Sequence, residues 1–193
     1  MRVVVMKFGG TSVASPESRR KIVEKVQATI KRGDSPVVVV SALGRAPEPY
    51  ATDSLLGLVK GDAEFKNLSE LDQLMACGEV ISCVVLSHTL RRHGLTSRTF
   101  DGRQAGILTT DVPGNAKILD INTERLSAYV ASGGVPVVAG FQGVDSLGDV
   151  TTLGRGGSDT SAVALGFFND TATTEIYTGL DTLSLHDALP ISK

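Results

Sequence analysis

Short strand-like runs at Val3–Val5, Pro36–Val40, Val135–Ala139 and Val150–Leu153 each end in a turn rich in glycine or hydroxyl groups, and the first three are apolar and mostly β-branched. Runs this short and this uniformly apolar read as strands buried on both faces. Helical segments stand between them. Pro16–Arg32 has Ser15 as an N-cap, Pro16 at the first helical position, an apolar stripe of Ile22, Val23, Val26 and Ile30, and Gly33 as its stop. Leu68–His93 keeps helical spacing from Leu71 to Leu86 and ends at Gly94. Shorter helices are expected from Thr52-Asp53 to Gly61, from Asn122 or Thr123 to Gly133-Gly134, and over Thr160–Leu165. Leu95–Phe100, Ile107–Thr110 and Lys117–Ile121 read as further strands, and Gly140–Gly148 as a loop. This alternation predicts an α/β fold with a mainly parallel central sheet and helices on both faces. Ligands in such sheets bind outside the carboxyl ends of the strands, so these turns are expected to meet at one edge.

The first turn belongs to VVVMKFGGTS at 3–12. Lys7 comes as the strand ends, Gly9 and Gly10 let the backbone bring its amides close to a ligand, and Thr11 and Ser12 add hydroxyls. That set suits a polyphosphate; the plain alternative is a turn and nothing more. The second is Arg155-Gly156-Gly157-Ser158-Asp159, a loop entering a helix whose first amides can hold an anion. A helix cap would explain Ser158 and Asp159 but neither the arginine nor the glycines. Arg155 offers a planar fork for a carboxylate or phosphate, and Asp159 could hold Lys7 or a metal ion. Glu79 stands on a largely apolar helical stripe. A buried carboxylate there needs a cation, supplied by a structural ion pair or by a bound ammonium group. Thr52-Asp53 reads as a helix cap, and His88 and His93 as surface residues.

Composition narrows the function. The chain has 193 residues, 41% hydrophobic and 21% charged, enough for one α/β domain. A net charge of −2 argues against electrostatic binding of nucleic acid. No apolar run approaches the roughly 20 residues that span a bilayer, and there is no signal-peptide core, so the expected location is the cytoplasm. Cys77 and Cys83 have neither metal-ligand spacing nor a good disulfide geometry and read as buried free thiols. No Walker A loop is present, and Gly154-x-Gly156-Gly157 does not fit the dinucleotide fingerprint.

The segments KFGGTS at 7–12, VVSALG at 39–44, ATDSLL at 51–56, ACGEVIS at 76–82, GRQAGILTTD at 102–111, VAGFQG at 138–143 and TTLGRGGSDTSAVALG at 151–166 resemble aspartate kinases of the amino-acid kinase superfamily, in order and spacing. The resemblance implies a three-layer α/β/α sandwich with a mainly parallel central sheet, truncated. It implies transfer of the γ-phosphoryl of ATP, with Mg²⁺, to the side-chain carboxylate of L-aspartate, on the route to lysine, threonine and methionine. By the same resemblance Lys7 and Asp159 are catalytic, and Ser41, Thr52, Glu79, Arg155 and Ser158 bind aspartate. Lys7, Gly9, Gly10, Gly156 and Gly157 hold phosphates, and no residue is assigned to a metal. The parent enzyme is expected to be a homo- or hetero-oligomer, with no nucleic-acid or membrane partner.

The resemblance covers residues 1–166. Asn169–Thr178 and Thr182–Ser192 instead resemble an in-frame translation of a DNA-sequencing adapter, with Gly179-Leu180-Asp181 at its variable index. Residues 167–193 are therefore expected to be a non-native tail, with at most a short strand near Glu175–Thr178, and the chain alone an inactive fragment. Alternatives are a non-catalytic ligand-binding fragment and a related kinase acting on another small acid.

Overall fold

Every residue of the first strand is buried, which explains why its sequence is apolar on both faces up to Phe8. The computed structural model describes residues 2–59, 68–167, 172–178 and 181–184. In chain order the elements are β1 (Val3–Phe8), α1 (Gly10–Ala14), α2 (Pro16–Lys31), β2 (Ser35–Val40), α3 (Thr52–Gly57) and α4 (Leu68–Arg92). Then come β3 (Ser97–Phe100), β4 (Ile107–Thr109), β5 (Ile118–Ile121), α5 (Glu124–Ala131) and β6 (Val135–Ala139). The chain continues with β7 (Gln142–Val144), β8 (Val150–Thr152), α6 (Gly157–Phe167), β9 (Ala172–Thr178) and β10 (Asp181–Ser184).

Among the described residues, six strands form the main sheet in the order β10-β9-β1-β2-β6-β3. All its pairings are parallel except β9 with β10. Alternate side chains of each strand feed two separate cores. Val4, Met6 and Phe8 of β1 join Ile22, Val23 and Val26 of α2 and Cys83, Leu86 and Leu90 of α4 on one face. Val3 and Val5 join Leu126 and Val130 of α5 and Ala162 and Leu165 of α6 on the other. The result is a three-layer α/β/α sandwich, the expected fold class.

Several boundaries differ from expectation for local reasons. β1 runs through Lys7 to Phe8 because β2 pairs with it over that whole length. Gly10 begins a short helix rather than only a turn. The Thr52 helix stops at Gly57, and residues 60–61 lie outside the described residues. Ser15 does cap α2, its hydroxyl accepting from the Ser18 amide at 3.0 Å. At α5 the side chain that accepts a backbone amide is Asn122, from Glu124 N–H at 3.0 Å.

Gly140–Gly148 is not a plain loop. It contains β7, part of a second sheet ordered β5-β4-β7-β8. The expected strand Val150–Leu153 belongs to this small sheet, not to the main one. β9, which lies in the segment expected to be non-native, pairs in parallel with β1 from Val3 to Phe8. The thiols differ too: Cys83 is buried, but Cys77 is exposed, because its side of α4 faces away from the sheet. By length and composition α4 could cross a membrane, against the reading that no segment is apolar enough. In the fold one side of it packs on β3, β6 and β8 and buries Asp72 and Glu79.

Candidate active site

Lys7 continues the β1 alternation onto the α6 face. It is 6% exposed, in a strand otherwise apolar. Its ammonium lies 2.6 Å from Oδ1 of Asp159, in the first turn of α6. The pairing predicted for Asp159 is therefore present, and the carboxylate also sits where the helix dipole favours negative charge. Immediately after β1 the chain turns at Gly9 and Gly10. A Cβ at Gly10 would lie 2.6 Å from the carbonyl oxygen of Ala42 and 2.7 Å from that of Gly44. Only glycine lets the two strand-end loops touch in this way. The contact is fixed by hydrogen bonds from Ser41 N–H to Phe8 O, 3.2 Å, and from Gly44 N–H to Gly10 O, 3.0 Å.

Glu79 approaches the same loop from α4. It is 3% exposed, and its Oε1 accepts the Ala42 amide at 3.0 Å. Among the described residues its Oε2 has no hydrogen-bond partner. Burial pushes the carboxyl up to about 8, against the opposing pull of the Ala42 amide and the Lys7 charge. The expectation that Glu79 needs a cation is thus corrected in part. Lys7 is paired with Asp159, and Glu79 avoids the cost of an isolated buried charge by holding a proton at neutral pH.

These groups line one cleft of about 660 Å³. Lys7, Gly9, Gly10 and Ser41 line it together with Thr52 and Glu79. Arg155, Gly156, Gly157, Ser158 and Asp159 line it as well. Every residue to which the resemblance gives a site role is therefore on the cleft, while Ser12 is not among its lining. Thr52 is the first helical residue of α3, with Ala51 as the N-cap, so its hydroxyl is not spent on capping. Arg155 is exposed, and among the described residues no carboxylate pairs with it.

Sequence reasoning missed Met75, Phe141 and Gly114, which also line the cleft. Met75 is one turn before Glu79 on α4, a spacing that could have flagged it. Phe141 has φ of 69°, a left-handed conformation that a bulky side chain adopts only under constraint. Its amide donates to Ser161 Oγ at 3.0 Å and its carbonyl accepts from Leu153 N–H at 2.9 Å, which hold it there. A Cβ on Gly157 would come within 2.7 Å of its ring, so the glycine after Arg155-Gly156 makes room for an aromatic wall. Nothing local in the sequence signals that contact.

A lysine and bare amides in a cleft that also carries the Glu79 carboxyl and the Arg45 and Arg155 guanidiniums can hold a polyphosphate next to a small zwitterion. Residues 2–187 match the amino acid kinase family. The chain belongs to this family of phosphoryl-transfer folds. It is 46% identical over 187 residues to Aspartokinase 1 of Bacillus subtilis (strain 168), covering 97% of this chain and 46% of that protein. It is 45% identical over 182 residues to an aspartokinase of Mycobacterium tuberculosis (strain ATCC 25618 / H37Rv), covering 94% of this chain and 42% of that protein. The crystal structure of aspartate kinase from Synechocystis superposes with a TM-score of 0.74 at 39% identity, over 91% of this chain and 28% of that one. E. coli aspartokinase III, solved with aspartate and ADP, shares the fold with a TM-score of 0.75 at 24% identity, over 91% of this chain and 49% of that one. The chain spans about half the length of the curated relatives it matches.

Proposed function

We propose that the full-length protein transfers the γ-phosphoryl of ATP to the side-chain carboxylate of L-aspartate, forming 4-phospho-L-aspartate. The observation that carries this reading is the charge set of the cleft: a lysine already paired with an aspartate, beside a buried carboxyl and an exposed guanidinium that form no salt bridge among the described residues. Similarity to aspartokinases at 46% and 39% identity supports the choice of substrate.

L-Aspartate carries an ammonium and two carboxylates. The ammonium binds at Glu79, whose proton leaves when a cation replaces it. Arg155 takes the α-carboxylate through its planar fork, with Ser41, Thr52 and Ser158 as hydroxyl donors. The side-chain carboxylate then faces Lys7. One of its oxygens forms a bond to the γ-phosphorus while the bond from that phosphorus to the β-phosphate oxygen breaks, and ADP leaves. Negative charge spreads over the transferred group, and Lys7 with the amides at Gly9, Gly10, Gly156 and Gly157 offsets it. Asp159 holds the Lys7 ammonium in place. Among the described residues no group of three acidic, histidine or cysteine side chains is clustered to hold a metal. Mg²⁺ would arrive with the nucleotide phosphates, as it commonly binds, and would neutralise part of their charge.

The test is hydroxamate trapping of the acyl phosphate from Mg-ATP and L-aspartate, with L-glutamate and succinate as competitors for the assignment. Product with aspartate and little with succinate, which lacks the ammonium, is expected. Equal rates with succinate would remove Glu79 from the site, and no product with aspartate would overturn the function. For the 193-residue chain assayed by itself, little or no turnover is expected, because activity is proposed for the longer protein.

A further inference from the structure

The mechanism leaves one fully buried carboxylate unused. Asp72 is 0% exposed, seven residues before Glu79 on α4. Seven residues bring a helix back to nearly the same face, about 10 Å along its axis. Asp72 accepts the Gly114 amide with both oxygens, at 2.9 and 3.0 Å. It also accepts Thr152 N–H at 2.8 Å and the Thr152 hydroxyl at 2.8 Å. Ala116 N–H in turn donates to Thr152 O at 2.9 Å. One side chain thus gathers α4, the loop at 110–117 and the last residue of β8.

What lies next to each of these points matters. Thr152 is followed by Leu153, Gly154 and Arg155, and Gly114 lines the cleft itself. Gly154 is pressed on that loop: a Cβ there would lie 3.2 Å from Gly114 O. Asp72 therefore ties the helix that carries Glu79 to the strand that delivers Arg155.

The geometry points to Asp72 as a positioning residue that sets the spacing between the Glu79 carboxyl and the Arg155 guanidinium, and with it the fit of a small amino dicarboxylate. This rests on the proposed aspartate site. Four hydrogen bonds from three donors explain how the charge is tolerated without a cation, since amide and hydroxyl donors stabilise a buried carboxylate. They do not explain why the bonds join the helix that carries Glu79 to the strand that leads to Arg155; a role in spacing does.

The experiment compares Asp72→Ala, Asp72→Asn and Leu90→Ala in the full-length protein. Leu90 is buried at the far end of α4 and serves as a stability control. Asp72→Ala is expected to raise the aspartate KM at least 10-fold and leave the ATP KM within 2-fold. Asp72→Asn keeps an acceptor oxygen toward both Thr152 N–H and Gly114 N–H, and the Thr152 hydroxyl can turn to accept from its amide, which loses only the second Gly114 contact, so a clear part of the aspartate KM should be recovered. Leu90→Ala should lower Tm without separating the two KM values. The proposal is overturned if Asp72→Ala moves both KM values together as Leu90→Ala does, or if asparagine fails to rescue. Should Asp72→Ala not fold, Thr152→Val deletes one arm of the clip, and an unchanged aspartate KM would be equally decisive. A wild-type protein inactive on aspartate would refute the function instead. Amide exchange of the ligand-free protein then reads the clip: no added uptake at 110–116 and 153–157 in Asp72→Ala or Thr152→Val overturns it.

Discussion

The two walls of the cleft treat charge in opposite ways. On the wall built by β1 and α6, Lys7 and Asp159 are 2.6 Å apart and neutralise each other. On the wall built by α4 and the loop after β8, Glu79 Oε2 and Arg155 have no ionic partner among the described residues. A paired lysine is held still and suits charge that develops during reaction, where reorganisation would cost rate. Unpaired groups of opposite sign suit a ligand that brings both signs with it. The difference separates a wall for chemistry from a wall for recognition.

The hardest test of that division is Lys7→Ala in the full-length protein. We expect kcat to fall by about 10²–10³-fold or more, the scale of removing a group aimed at transition-state charge. Aspartate affinity, measured by equilibrium titration, should be largely spared. A near-normal kcat would end the division. Arg155→Ala probes the opposite wall. The loss of a charge-assisted hydrogen bond, about 1.5–3 kcal/mol, predicts an aspartate KM raised roughly 10–100-fold, with a smaller loss of kcat. Steady-state kinetics on both variants would show whether the two effects fall on different constants.

Glu79→Gln sharpens the comparison through pH. Burial raises the Glu79 carboxyl to about 8, so between the usual carboxylate range and pH 8 the folded protein holds a proton that the unfolded chain has lost. Its contribution to stability is complete at low pH and falls as pH rises through that window. Denaturant melts between pH 5 and 8.5 should show the decline in wild type and a flatter profile in Glu79→Gln. In the full-length enzyme the wild-type aspartate KM should improve as pH rises toward 8, and this trend should vanish in the variant. Thr52→Ala should be the mildest change. One neutral hydrogen bond is worth about 0.5–1.5 kcal/mol, which predicts an aspartate KM raised about 2–10-fold.

Much of the frame was legible in the residues. The apolar runs of β1, β2 and β6 specify buried parallel strands, and Ser15-Pro16 and Gly33 bound α2. Lys7 stands at odd parity with Val3 and Val5, so strand alternation alone sends it toward α6, where Asp159 opens the helix. Local pattern works here because alternation and capping act over a few residues. β7, three residues inside the expected loop, is too short to show a period, and without it the strands read at β4, β5 and β8 could not be recognised as a separate sheet.

The sequence by itself determined the layered α/β architecture, the glycine turns and many, though not all, of the residues that line the cleft. Tertiary structure alone decided what those residues are to each other. Glu79 keeps its proton because burial between distant segments strips its carboxyl of water, and Phe141 enters the cleft because Gly157 leaves it space. Asp72 becomes a clip only when Thr152, 80 residues away, arrives with its donors. Burial and partnership depend on contacts between distant segments, so a carboxylate's charge state and role remain undetermined until the chain has closed on itself.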